Sequence, residues 1–253
     1  LSARRPLPAW RRDIFTAGNG NSIHRRERRE VVLWVDTFNT YFEPENPRAA
    51  TRVLDAAGYD VILAAPADGG RPVCCGRTFL SAGLVEEART EARRTVAALR
   101  PYAERGVPIV GLEPSCLLTL RDELPALLPA AEVGSLPGSA LLFEEFLARE
   151  AAVGRLRLDL HGIPARQLLV HGHCHQKAFG VMPAVEQVLS RIPGVTVRAI
   201  ESSCCGMAGS FGYEVEHYGL SQAIGEERLF PAVRAADASA LIAASGMSCR
   251  CQI

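Results

Sequence analysis

The chain has 253 residues, 48% of them hydrophobic and 22% charged, with 28 basic and 28 acidic side chains. That composition fills a core and excludes extended disorder, while a formal net charge of zero argues against a nucleic-acid protein. No run of 18 apolar residues occurs, so no transmembrane helix is expected.

From Leu1 to Glu30 the sequence is polar and carries four Arg-Arg pairs. No apolar stretch follows, which excludes a twin-arginine export signal. The segment reads as a solvated linker, residues 1–30, and the expectation is that the chain is the C-terminal part of a longer polypeptide. Val31–Val35 is a continuous apolar run, the signature of a strand buried on both faces. Asn46 and Pro47 are expected to open a helix, Asn46 as its N-cap, with Ala50, Val53, Leu54 and Ala57 on the apolar face and Gly58 as its stop. Tyr59–Leu63 is a second strand. Leu84–Leu99 is an amphipathic helix, with Leu84, Ala88, Ala92, Val96 and Leu99 in one stripe. Pro108–Leu112 is a third strand. A strand at Gln167–Val170, a helix at Pro183–Arg191, and strands at Thr196–Ile200 and Leu241–Ala244 complete the rhythm of parallel βαβ units.

Eight cysteines punctuate this pattern: Cys74, Cys75, Cys116, Cys174, Cys204, Cys205, Cys249 and Cys251. Clustered cysteines without a secretion signal point to metal binding or thiol chemistry rather than disulfides. They also expose a duplication. Cys74-Cys75-Gly76 returns as Cys204-Cys205-Gly206 after 130 residues, Ser115-Cys116 as Ser248-Cys249 after 133, and Val35-Asp36-Thr37 as Gly172-His173-Cys174 after 137. The fold expected is therefore α/β: two related βαβ units with parallel sheets, at residues 31–133 and 134–253. In such sheets sites form beyond the carboxyl ends of strands, so Cys174, Cys204 and Cys249 should converge on one edge. Adjacent cysteines strain a single tetrahedral metal but suit a cluster with several irons, which favours iron–sulfur over zinc.

The longer motifs carry a family likeness. His171-Gly172-His173-Cys174-His175-Gln176-Lys177, Cys204-Cys205-Gly206-Met207-Ala208-Gly209-Ser210 and Glu113-Pro114-Ser115-Cys116 resemble the cysteine-rich CCG domain. That domain occurs twice in one of the polypeptides of heterodisulfide reductase and in iron–sulfur components of the glycolate oxidase type. The motifs are most similar to the C-terminal region of FAD-linked 2-hydroxy-acid oxidases fused to a ferredoxin-like domain. The resemblance implies an oxidoreductase component: a 4Fe-4S-type cluster on Cys174, Cys204, Cys205 and Cys249, passing electrons from FAD in the missing part of the protein to a quinone or cytochrome-type acceptor. Glycolate, D-lactate or D-2-hydroxyglutarate is the implied substrate class. The implied partners are upstream flavin and ferredoxin-like domains or separate polypeptides, and the implied location is cytoplasmic or peripheral at the inner face of the membrane. No residue of this chain is assigned a catalytic role, and the chain alone is expected not to oxidise substrate.

In the first repeat, Cys74, Cys75 and Cys116 are further candidate metal ligands, but Thr37 stands where a fourth cysteine would be, so either Asp36, Glu113 or an external ligand completes a site there or the site holds no metal. Cys251 has no counterpart. His171, His173 and His175 alternate and are expected to share one face of an extended segment. Two rival functions remain at this point: a zinc-stabilised interaction module and a thiol–disulfide reductase.

Overall fold

The computed structural model describes residues 1–16 and 28–253, so residues 17–27 of the expected linker lie outside it. The chain divides into two compact units, Trp10–Leu158 and Asp159–Ile253, the latter together with Leu1–Ala9.

The first unit runs β1 (Arg29–Trp34), α1 (Thr37–Tyr41), α2 (Glu45–Ala56), β2 (Tyr59–Leu63), α3 (Arg77–Ser81), α4 (Val85–Glu104), β3 (Ile109–Gly111), α5 (Pro114–Thr119), α6 (Glu123–Leu127), α7 (Ala130–Val133), α8 (Leu136–Ser139), β4 (Ala140–Leu142) and α9 (Phe143–Ala152). Its strands form one parallel sheet in the order β2-β1-β3-β4. The central strand β1 buries Val31, Val32, Leu33 and Trp34, as a strand covered on both faces must. The helix α4 lays Ala88, Ala92, Thr95, Val96 and Leu99 into the core and continues through Pro101 for one turn more than its stripe announces. Glu91 is buried on the same helix, and Arg71 and Arg94 neutralise it.

The second unit contains β5 (Gln167–His171), α10 (Cys174–Ala178), α11 (Met182–Leu189), β6 (Thr196–Ala199), α12 (Tyr218–Glu227), α13 (Leu229–Arg234), β7 (Leu241–Ala244) and α14 (Met247–Gln252). Its sheet is parallel in the order β6-β5-β7, so β5 is central as β1 is in the first. Two parallel α/β units with corresponding strands therefore stand where the duplicated motifs place them.

Three expectations change in detail. The first unit does not stop at Val133. Ala140–Leu142 pairs in parallel with β3, and α9 packs Phe146 edge-on against Tyr59 at 5.1 Å, so residues 134–158 complete the first sheet. The N-terminal segment is no plain linker. Ser2 N donates to Tyr213 O at 2.6 Å, and the Arg5 guanidinium donates to Cys251 O at 3.2 Å while lying over the rings of Tyr213 and Tyr218. Further along, Trp10 stacks on Tyr41 at 4.8 Å. Asn46 is not the cap of α2, which starts at Glu45 after Pro44; its amide instead donates to Asn39 Oδ1 at 3.0 Å. Among the described residues no helix is long and apolar enough to cross a membrane.

Candidate metal centre

In the second unit three loops leave the carboxyl ends of the parallel strands and carry cysteines to one place. After β5 the chain turns at Gly172 and enters α10 through His173. The imidazole of His173 accepts from His175 N at 3.2 Å, and Gln176 Oε1 accepts from His173 N at 3.0 Å, a reciprocal cap that sets Cys174 at the first helical position. After β6, Lys177 Nζ ties down the loop before the paired cysteines by donating to the carbonyls of Ser202 and Ser203, the latter at 2.7 Å. Gly206 closes that loop at φ 96°, and its N–H donates to Cys204 Sγ at 3.3 Å. A Cβ on Gly206 would lie 2.2 Å from Ser221 O, so only glycine fits. After β7, Gly246 leads into α14, whose first turn holds Cys249. The ring of His173 fills the space beside Gly246, where a Cβ would meet its Cδ2 at 2.4 Å.

The four thiols form a continuous chain of side-chain contacts, Cys174 to Cys204, Cys204 to Cys205 and Cys205 to Cys249. Cys205 and Cys249 are buried, Cys204 is half-buried and Cys174 is exposed, so the group is sealed at one end and open at the other. Hydrogen bonds from Cys174 and Cys205, helped by Gly206 N–H, hold the Cys204 thiol far below its ordinary value. The hydrogen bond from Cys205, with His171 beside it, brings Cys249 down to about 6. The donors, Cys174 and Cys205, are pushed up in turn. The contacts thus favour thiolate at Cys204 and Cys249 and thiol at Cys174 and Cys205, whose protons a soft metal would displace. Four convergent thiols, two of them shifted toward thiolate, fit a soft-metal or iron–sulfur centre by the chemistry of the donor set.

The three histidines do not share a face, because the extended segment ends at His171 and the cap at His173 starts a helix. The rings of His173 and His175 stack at 5.1 Å beside Cys174, whereas His171 turns inward, its donor atom within 4.8 Å of the sulfurs of Cys205 and Cys249. Sequence reading assigned no such place to His171. Cys251 meets the Tyr213 hydroxyl rather than joining the chain of four.

The first unit repeats the scaffold with other side chains. Thr37 opens α1 as Cys174 opens α10, and its hydroxyl bonds Cys74. Cys75 bonds both Cys74 and Cys116, so three thiols and one hydroxyl occupy the corresponding positions. Asp36 replaces His173 as the cap, its carboxylate accepting from Phe38 N at 2.9 Å, Asn39 N at 3.1 Å and Asn39 Nδ2 at 2.6 Å. Glu113 stands where Gly246 does, buried and capping α5 through Ser115. The hydrogen bond with Cys75 would lower Cys116, but burial and the charges of Asp36 and Glu113 push it up to about 11. No thiolate is favoured there without a metal.

Comparison with known proteins agrees with this duplication. Residues 36–121 and 168–253 each match the cysteine-rich domain CCG. The chain is 30% identical over 197 residues to a component of the anaerobic glycerol-3-phosphate dehydrogenase of Escherichia coli K12, covering 78% of this chain and 48% of that one. It is 29% identical over 240 residues to D-2-hydroxyglutarate dehydrogenase of Pseudomonas putida, covering 90% of this chain and 21% of the relative. It is 25% identical over 230 residues to lactate utilization protein A of Bacillus velezensis, covering 88% of each. The chain thus spans about half the length of the first relative and about a fifth of the second. With two matched copies over most of its length, the chain belongs to the CCG cysteine-rich domain family.

Proposed function

We propose that this chain is the electron-transfer module of a flavin-linked dehydrogenase, with an iron–sulfur centre of the 4Fe-4S type on Cys174, Cys204, Cys205 and Cys249. The observation that carries the reading is the unbroken line of four thiols at the carboxyl ends of β5, β6 and β7. When bound, the cluster supplies one-electron chemistry that thiols alone do not. The protein's part is to hold the sulfurs. Gly206 lets the loop approach closely, Lys177 fixes the backbone ahead of the pair, and the His173 cap aims Cys174. The exposure of Cys174 gives electrons an edge at which to enter or leave, while Cys205 and Cys249 keep water from the other side.

The names of the relatives suggest that the electrons originate from a small hydroxylated acid or phosphate, such as a 2-hydroxy acid, oxidised by a flavin component outside this chain. A quinone or cytochrome would receive them. Anaerobic reconstitution of the chain with ferrous iron and sulfide tests the reading. Iron, sulfide and visible absorption should appear together, and Cys204→Ser or Cys205→Ser should lose most of the iron, since a hydroxyl replaces a thiolate poorly. Full iron and sulfide in both variants overturns the ligand assignment. A colourless protein holding zinc without sulfide supports the interaction-module reading instead.

A further inference from the structure

At the carboxyl end of the central strand β5, His171 is 1% exposed. Its Nδ1 lies 2.8 Å from Ser202 Oγ, and its Nε2 is buried without a hydrogen-bond partner of ordinary geometry among the described residues. A buried imidazole nitrogen left unpaired is costly and calls for a partner. A ring nitrogen of His171 lies within 4.8 Å of the Cys205 and Cys249 sulfurs, and with Nδ1 taken by Ser202 we assign that contact to Nε2.

The surroundings decide which nitrogen holds the proton. The Lys177 ammonium can only donate, and it reaches Ser202 Oγ at 3.4 Å. Ser202 has one proton to give, with Ile200 O at 3.4 Å and His171 Nδ1 at 2.8 Å as acceptors. Ser202 Oγ can donate or accept at that distance, so the sulfur side decides: Nδ1 accepts and Nε2 carries the hydrogen. The opposite tautomer would set a lone pair against thiolate sulfur.

The first unit holds a comparable buried N–H group at the corresponding position. Trp34 ends β1 and pairs with Gly111 of β3, as His171 ends β5 and pairs with Ala244 of β7. Trp34 is 1% exposed, and its Nε1 is likewise buried without a partner among the described residues. An indole cannot ligate a metal, whereas both rings can donate N–H. Both positions thus hold a buried ring that can donate N–H.

We propose that His171 donates its Nε2–H to sulfur on the Cys205–Cys249 side of the centre and so raises its reduction potential. The donated hydrogen stabilises the extra negative charge of the reduced state, and Ser202, backed by Lys177, holds the tautomer. The proposal rests on the iron–sulfur reading given above. Its test uses the full chain, reconstituted anaerobically, with His171→Leu and His171→Gln beside the wild type. Iron and sulfide content comes first, then a redox titration with dithionite followed by electron paramagnetic resonance, reading the signal that Cys204→Ser removes. All three proteins should hold equal iron. His171→Leu should shift the reduction equilibrium about tenfold toward the oxidised form, about 59 mV for one electron. His171→Gln keeps an N–H donor and should recover much of that shift. An unchanged potential in His171→Leu overturns the proposal, and so does loss of its iron, which would make His171 a ligand or a structural support. A wild type that takes up no iron overturns the reading of the centre itself.

Discussion

Replacing Gly206 with Ala tests how tightly the second site is built. The backbone at Gly206 has φ 96°, which strains any residue with a Cβ by about 1–2 kcal/mol. The added carbon would also lie 2.2 Å from Ser221 O and 3.0 Å from Gln252 Nε2. That carbonyl accepts from Gln252 Nε2 at 2.9 Å, so moving it aside weakens a buried hydrogen bond worth about 1 kcal/mol. Overpacking adds about 1–3 kcal/mol more. The total, about 3 kcal/mol or above, corresponds to a fall of roughly 10 °C or more in the melting of a unit this size. Gln252 shares α14 with Cys249, so the displacement reaches the proposed ligand set and iron retention should fall with stability. Gly76 is the internal control. It also has positive φ, but a Cβ there would meet Ala88 O at 3.2 Å and Glu91 Cβ at 3.3 Å, contacts that small shifts relieve. Gly76→Ala should therefore cost only the backbone strain, about 1–2 kcal/mol. Thermal melts by circular dichroism and iron content of both variants decide the matter. A Gly206→Ala protein that melts and binds iron like wild type, or one milder than Gly76→Ala, refutes the reasoning.

Alkylation of the metal-free chain should label Cys204 at a rate nearly constant from about pH 6 to 8. Its lowered value keeps the thiolate populated throughout, whereas an ordinary thiol gains about tenfold per pH unit there; peptide mass spectrometry reads the rates, and a tenfold rise at Cys204 contradicts its assignment. Lys177→Met removes charge-assisted donors to the Ser202 and Ser203 carbonyls and should cost about 1–3 kcal/mol in urea unfolding; an unchanged midpoint would deny the lysine its role as a clamp. Mixed with 2-hydroxy acids and a dye acceptor, the chain alone should show no turnover, and steady dye reduction would place substrate oxidation within it.

Much of the architecture was legible because the buried strands announce themselves. Val31–Trp34 is a continuous apolar run and Tyr59–Leu63 follows directly on Gly58, the helix stop, and both are strands. The β4 strand was not, since Ala140-Leu141-Leu142 is three residues long and becomes a strand only by pairing with β3. The N-terminal arm was misread for a related reason: Arg5 is polar by type, and its packing on Tyr213 and Tyr218 with hydrogen bonds to the Cys251 carbonyl and Ser221 Oγ makes it a buried side chain. At the site, cysteine spacing located the sulfurs, because the positions at strand ends are set by topology. The place of His171 was hidden, because alternation along the chain does not say where a strand gives way to a helix cap.

The two halves differ in a way that bears on how many centres the chain holds. Besides Trp34 for His171, three exchanges separate the sites: Thr37 for Cys174, Asp36 for His173 and Glu113 for Gly246. The last two belong together. The His173 ring leaves room beside it for glycine alone, whereas the smaller Asp36 goes with a buried glutamate opposite. The exchange replaces an imidazole by two carboxyl groups around Cys116 and pushes that thiol up to about 11. Filling the first site would thus require more protons to be displaced, against more negative charge, with one fewer thiolate. Iron should therefore bind first and more tightly at Cys174, Cys204, Cys205 and Cys249. Cys204→Ser should lose most of the iron of the reconstituted chain, and Cys74→Ser distinctly less. Equal losses from the two variants would mean two equivalent sites, with a carboxylate of Asp36 or Glu113 standing in for the thiolate that Thr37 lacks.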